Sequence, residues 1–263
     1  MPKGLFAILL FSATTAFSAP QLQTELQPDD VWLRVTALQS DISNESFDPQ
    51  GRKTDSYSIT SSTKNVSAVI GLDNSTSATP ILGVQYLKDK SGNYKAERFI
   101  ASAGLKKKST SGQNAAIFLR YEHNPEDNQI DYYSIQGALQ TTRGSSNFYN
   151  EVSVGINLPV NTSNLKGYKT ISLLNNLKIS SQHAIDYIVR SYISISDDPS
   201  YEVSLGPSYG LGGEAAFNTS PLHSFSISVH RTYSSSTTSV AFVGNYEEEY
   251  ESTNLAMSFL ARF

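Results

Sequence analysis

Histidines and charges are sparse enough in this 263-residue chain for their spacing to be weighed one by one. There are four histidines and no cysteine, so a thiol nucleophile, a disulfide and a cysteine metal site are all excluded. His223 and His230 lie seven residues apart in an alternating stretch. An odd spacing puts two strand side chains on opposite faces, so this pair cannot converge on one metal ion or one catalytic dyad. His123 opens the turn-rich stretch His123-Asn-Pro-Glu-Asp-Asn128, and His183 falls on the apolar parity of its segment. No Ser/His/Asp spacing suited to acyl transfer accompanies them. The chain is therefore expected not to be an enzyme, with no catalytic residue, no metal and no cofactor.

The charges point elsewhere. Arg34, Arg98, Arg120, Glu122, Glu151, Asp186, Arg190, Glu202 and Arg262 all fall on the polar parity of segments that alternate apolar and polar residues. If those segments close into a barrel, these side chains share its lumen. Charges of both signs there form a candidate constriction that sorts solutes by field and size. The same charges could instead neutralise one another as a salt-bridge network filling a narrow lumen, because a charge in a partly dry interior needs a partner. Asp186 and Arg190 sit four residues apart, roughly 13 Å along a strand, so each is expected to pair across strands rather than with the other.

What positions these side chains is a series of strands. Val31, Leu33, Val35 and Ala37 alternate against Arg34, Thr36 and Ser40. The same period returns at 66–72, 82–86, 99–105, 115–121, 133–139 and 152–158. The strongest run keeps one parity from Leu177 to Ile195, and further segments occupy 201–211, 225–233 and 240–246 before the last strand. Residues typical of turns separate them, and no helical period appears after the N-terminus. Up to fourteen segments can be marked. Those near Tyr57 and over 168–174 are weak, which gives about twelve strands, with ten and fourteen as the alternatives for an even-stranded closed barrel. Tyr86, Tyr121, Tyr201, Tyr209, Tyr233, Tyr246 and Phe263 stand near segment ends, as an aromatic girdle requires. With both termini on one side, the runs Lys106-Lys-Lys108 and Glu247-Glu-Glu-Tyr-Glu251 are expected in loops on the outer surface. There the runs are read first as ordinary solvated loops, the alternative being that the lysines meet lipopolysaccharide phosphates and the acids hold divalent cations bridging them. A net charge of −4 gives no reason to expect a nucleic-acid partner.

The two ends complete the reading. Residues 1–18 read as a signal peptide: Lys3, an apolar run over 5–11, then small residues with Ala16 and Ser18 at the −3 and −1 positions. Residues 19–30 are then a periplasmic N-terminal segment and 31–263 the barrel. At the other end Leu255, Met257, Phe259, Ala261 and Phe263 form one apolar face that runs to the last residue. This resembles the C-terminal signature strand of Gram-negative outer-membrane β-barrels, whose terminal aromatic marks the chain for the barrel-assembly machinery. The resemblance assigns that signal to Phe263, Phe259, Met257 and Leu255. A single-domain barrel of this size also resembles the solitary autotransporter-type barrels. These resemblances imply an all-β, closed antiparallel transmembrane β-barrel in the cell outer membrane, exported through the inner membrane and surrounded by outer-membrane lipid and lipopolysaccharide. Its expected role is a narrow channel for small solutes, the alternative being a non-conducting structural or surface-interaction barrel with a plugged lumen.

Overall fold

Twelve staves close on themselves in the computed structural model, which describes residues 29–72, 78–92, 94–108, 113–125, 131–143, 148–160, 166–180, 184–198, 200, 203–240 and 243–263. Among these residues the strands are β1 (Val31–Phe47), β2 (Lys53–Gly71), β3 (Ala78–Ser91), β4 (Tyr94–Lys108), β5 (Gln113–His123), β6 (Asp131–Arg143), β7 (Phe148–Val160), β8 (Tyr168–Ser180), β9 (Ile185–Ser196), β10 (Val203–Leu205), β11 (Ser208–Ser220), β12 (His223–Val240) and β13 (Gly244–Arg262). Each pairs antiparallel with its neighbour, and β13 returns to β1 along a seam from Trp32↔Arg262 to Phe47↔Glu247. Val31 and Phe263 extend the seam, exchanging backbone hydrogen bonds of 3.1 and 2.9 Å. Closure leaves no open edge, the condition for a sheet to span lipid. β10 and β11 form one stave in two pieces, since both pair with β12. The break falls at Gly206 and Pro207, and Pro207 has no N–H to give to a ladder.

Side chains separate strictly by parity. Outward residues such as Val84, Leu211 and Ile195 are 62%, 61% and 58% exposed. A continuous apolar belt of this kind cannot face water and fits the lipid-facing band of a membrane barrel. Cross-strand aromatic pairs edge the band away from the termini. These are Tyr86–Phe99, Tyr121–Tyr133 and Tyr209–Tyr233, with ring centroids 4.9, 4.8 and 5.0 Å apart. Toward the termini, Phe217–Phe225 at 6.4 Å and His223 stacked on Phe259 at 6.1 Å do the same. Tyr246 does not belong to this girdle: pairs such as Val229↔Leu255 keep odd-numbered residues outward in both β12 and β13, so Tyr246 shares the inward parity of Tyr250 and Asn254. Tyr201 lies outside the described residues.

Three expectations about the strands need revising. The weak segments are halves of strands: Tyr57 and Ile59 belong to the upper part of β2, and 168–174 begins β8. The long run of one parity is a hairpin, because the register Ser180↔Asp186 carries the phase across the β8–β9 turn. The two charge runs also lie elsewhere than in outer loops. β4 runs toward the end that carries Val31 and Phe263, so Lys106 and Lys107 stand at the same end as the termini, and Lys106 points inward at 3% exposure. The acids 247–251 do lie at the outer end, but within β13.

That outer end is asymmetric. β1, β2, β12 and β13 have 17, 19, 18 and 19 residues, against 11 in β5 and 12 in β9. A tilted strand crosses the hydrocarbon with about 9–11 residues, so these four rise above it as a wall. On its outward face the apolar residues give way to Asp41, Glu45, Glu249 and Glu251. Asp48 ties the β1–β2 turn: its carboxylate accepts N–H bonds from Gln50 and Arg52 at 2.9 and 2.8 Å and from the Arg52 guanidinium at 2.8 Å. The Arg52 backbone N–H is the main reason its carboxyl titrates below the usual range.

Two inward glycines on β11 make room for rings from its neighbours. A Cβ on Gly210 would overlap the Tyr192 ring, and one on Gly212 would overlap the His230 ring and the Val229 carbonyl. Gly212→Ala is therefore expected to cost about 1–3 kcal/mol by overpacking, read as a lower urea midpoint for the folded barrel in lipid vesicles. An unchanged midpoint would mean that the His230 ring leaves its seat freely.

Candidate functional site

Among the described residues, lumen charges form two paired groups on opposite walls, while Lys106 and Glu151 are buried outside both. On β3–β5, Arg98 is 1% exposed, so its guanidinium has lost its water and must be neutralised in place. Two carboxylates do so: Nη2 donates to Asp89 Oδ2 at 2.9 Å and Nη1 to Glu122 Oε1 at 3.3 Å. The second Glu122 oxygen accepts from Arg120 Nη2 at 3.0 Å, and Asp89 also accepts from the Thr63 hydroxyl. Strand alternation makes this possible, because Asp89, Arg98 and Glu122 stand on the inward parity of three consecutive strands.

On the far wall, Arg190 of β9 bonds Glu214 of β11 at 2.6 Å and Asn176 of β8 at 3.0 Å. Both charged side chains are buried, at 9% and 8%. Below them Lys178 pairs with Asp186 at 2.8 Å, and Asn218 donates to the same carboxylate at 2.8 Å. As cross-strand pairing requires, Asp186 and Arg190 each find a partner on another strand. At the terminal mouth Arg262 bonds Asp30 at 2.9 Å and covers the Trp32 ring at 5.7 Å.

Between these groups the lining is of two kinds. Trp32, Val69, Ile81, Ala116 and Phe118 pack inward as an apolar layer in the half nearest the termini, with Leu260 against it. The Phe118 ring sits where a Cβ on Gly104 would stand. The wall of β12, β13, β1 and β2 is mostly uncharged and hydrogen-bonding inside, with Ser226, Thr232, Asn254, Ser40, Asn65 and Ser67 all buried. Thr36 and Ser258 bond across the seam at 2.9 Å. Arg34 and His230 are the ionisable exceptions at mid-strand.

Of the nine charges marked in the sequence, the structure brings Arg98, Arg120 and Glu122 into one group and puts Asp186 and Arg190 in the other. Arg34 and Arg262 stand inward but apart from both. Glu151 is inward and 2% exposed, while Glu202 lies outside the described residues. Sequence reasoning missed Asp89, Lys106, Lys178, Glu214 and Glu248. Asp89 reads as part of a turn, Lys106 as part of a charge run, and Glu214 hides in a glycine-rich stretch with faint alternation. Counting parity back from Phe99 and Val84 could have found the first two. The histidines do not converge: His223 faces outward, His230 inward, His123 bonds Asp131 at 3.0 Å outside the barrel, and His183 is not described. Leu255, Met257, Phe259 and Phe263 lie on the outward face of the closing seam.

No protein-family model matches this sequence, and no curated relative does. Solved structures do resemble it in three dimensions. An outer membrane channel from Pseudomonas putida F1 superposes with a TM-score of 0.64 over 90% of this chain and 97% of that one, at 9% identity. The fold is that of an outer-membrane β-barrel. The Pseudomonas putida toluene transporter TodX follows at 0.52, with 9% identity over 93% of this chain and 92% of that one. The translocator domain of the Neisseria meningitidis autotransporter NalP reaches 0.51, with 11% identity over 95% and 96%. At such identities the likeness is one of fold. Channels and translocator domains share this architecture, so the lumen has to say which role fits.

Proposed function

We propose that this chain is an integral outer-membrane barrel that acts as a narrow channel for small, uncharged polar solutes. The observation that carries this reading is the pairing of the lumen charges. Arg98 with Asp89 and Glu122, Arg190 with Glu214, and Lys178 with Asp186 leave little net field to sort ions. The uncharged wall of β12, β13, β1 and β2 offers hydroxyl and amide groups that can replace a solute's lost water. Export by the segment 1–18 and recognition of Phe263 by the barrel-assembly machinery belong to the same proposal.

The apolar layer around Trp32 and Phe118 favours a second reading, a non-conducting structural barrel. Planar-bilayer recording and liposome swelling separate the two. The channel reading expects small unitary currents with a cation-to-anion permeability ratio near one, and swelling with small neutral sugars or amides. No current and no swelling under any condition would sink it in favour of the plugged barrel.

A further inference from the structure

The outward faces of β2, β3 and β4 carry a charge pattern that the lumen does not explain. Lys64 stands directly opposite Lys88, and Lys90 directly opposite Lys95. All four side chains are exposed on the outward parity. Like charges in register across an antiparallel pair repel. Among the described outward residues of β3 and β4 one acid answers them, Glu97, bound to Lys88 at 2.6 Å. The nearest outward acid on β1, Asp41, accepts a bond from Thr60 at 2.8 Å. Four ammonium groups therefore share one adjacent carboxylate.

Their height matters as much as their sign. The Tyr86–Phe99 pair lies immediately beneath them and marks the membrane interface, with exposed Val84, Leu82 and Leu105 below. A basic girdle around the whole barrel would be unremarkable, but here the outer rim is polarised. On the β13–β1 wall the opposing register pair is Glu45↔Glu249, with Glu247 and Glu251 beside it.

We infer that the outer surface of β2–β4 binds the phosphorylated headgroup of an outer-leaflet glycolipid. Lys64, Lys88, Lys90 and Lys95 surround the phosphates, and the acyl chains lie on the apolar band below. Ammonium groups bind phosphate as point charges with three donors each. The lysines stand on the lipid side of the wall, so the occupant is a lipid rather than a solute in transit.

The test uses the purified full chain in detergent without divalent cations, with bisphosphorylated lipid A as the probe and native mass spectrometry or fluorescence titration as the readout. The triple variant K64Q/K90Q/K95Q keeps the Lys88–Glu97 bridge and is expected to bind roughly a hundredfold more weakly. E247Q/E249Q should bind as the wild type does. Dephosphorylated lipid A should bind weakly to all three, and millimolar inorganic phosphate should not displace the lipid. Equal binding by the triple variant, equal binding of dephosphorylated lipid A, or displacement by inorganic phosphate at lipid-like concentration overturns the proposal. Heat modifiability on unboiled gels verifies folding. Should the triple variant not fold, K90Q alone must show a shallower salt dependence than wild type, and an identical slope counts against the site.

Discussion

Arg98→Ala is expected to cost the barrel about 3–5 kcal/mol of folding stability. Arg98 is 1% exposed and bonds two carboxylates on two different strands. Its removal leaves Glu122 with Arg120, but Asp89 keeps only the Thr63 hydroxyl and has no charged partner in the group. The penalty is therefore mainly that of a partly buried carboxylate left uncompensated, together with the space left by the buried guanidinium. The check is urea unfolding in lipid vesicles, followed by the fluorescence of Trp32, the chain's single tryptophan. Adding Asp89→Asn to the variant should recover a large part of the loss, because the orphaned charge goes with it. A loss below about 1 kcal/mol, the range of a solvent-exposed pair, would mean that water already reaches this group. The same variant should also shift bilayer currents toward cation selectivity, since the carboxylates then dominate the β3–β5 wall.

How much of this could be read in the sequence depends on which property is asked for. Parity was legible, because a strand between lipid and lumen must alternate and a one-residue slip would invert every side chain. Hence Leu33 and Val35 face out, Arg34 and Thr36 face in, and the closed all-β barrel follows from repetition of that rule. Partners were not legible. Arg190 meets Glu214 because β9 and β11 run in the register Gly212↔Arg190, and register depends on turn geometry between strands. The stretch around Glu214 also lacks alternation for a packing reason: Gly210 and Gly212 stand where Tyr192 and His230 need room. Direction was legible only once the strands were counted. Lys106 lies at the end that carries the termini because β4 is the fourth strand from the start of β1, and marking Tyr57 and Ile59 as a separate weak segment disturbs that count. The hairpin turn between β8 and β9 stayed hidden because its length preserved the phase.

The other large effect is expected at Phe118, where stability and permeation should move in opposite directions. Phe118 is 3% exposed and fills the space over Gly104, packed with Trp32, Val69 and Ile81. Truncation to alanine in a core costs about 3–5 kcal/mol when the cavity stays empty. Here the cavity borders polar lumen side chains, so water can enter it and the expected loss lies at the lower end of that range. Entry of water should also shift Trp32 emission to longer wavelength, a readout that general destabilisation below the unfolding midpoint does not produce. If the apolar layer is the narrowest point, Phe118→Ala raises unitary conductance severalfold while ion selectivity stays put, because no charge has changed. A red-shifted Trp32 with unchanged conductance would place the constriction at the charge groups of Arg98 and Arg190 instead. In that case Arg98→Ala, rather than Phe118→Ala, becomes the substitution that opens the barrel.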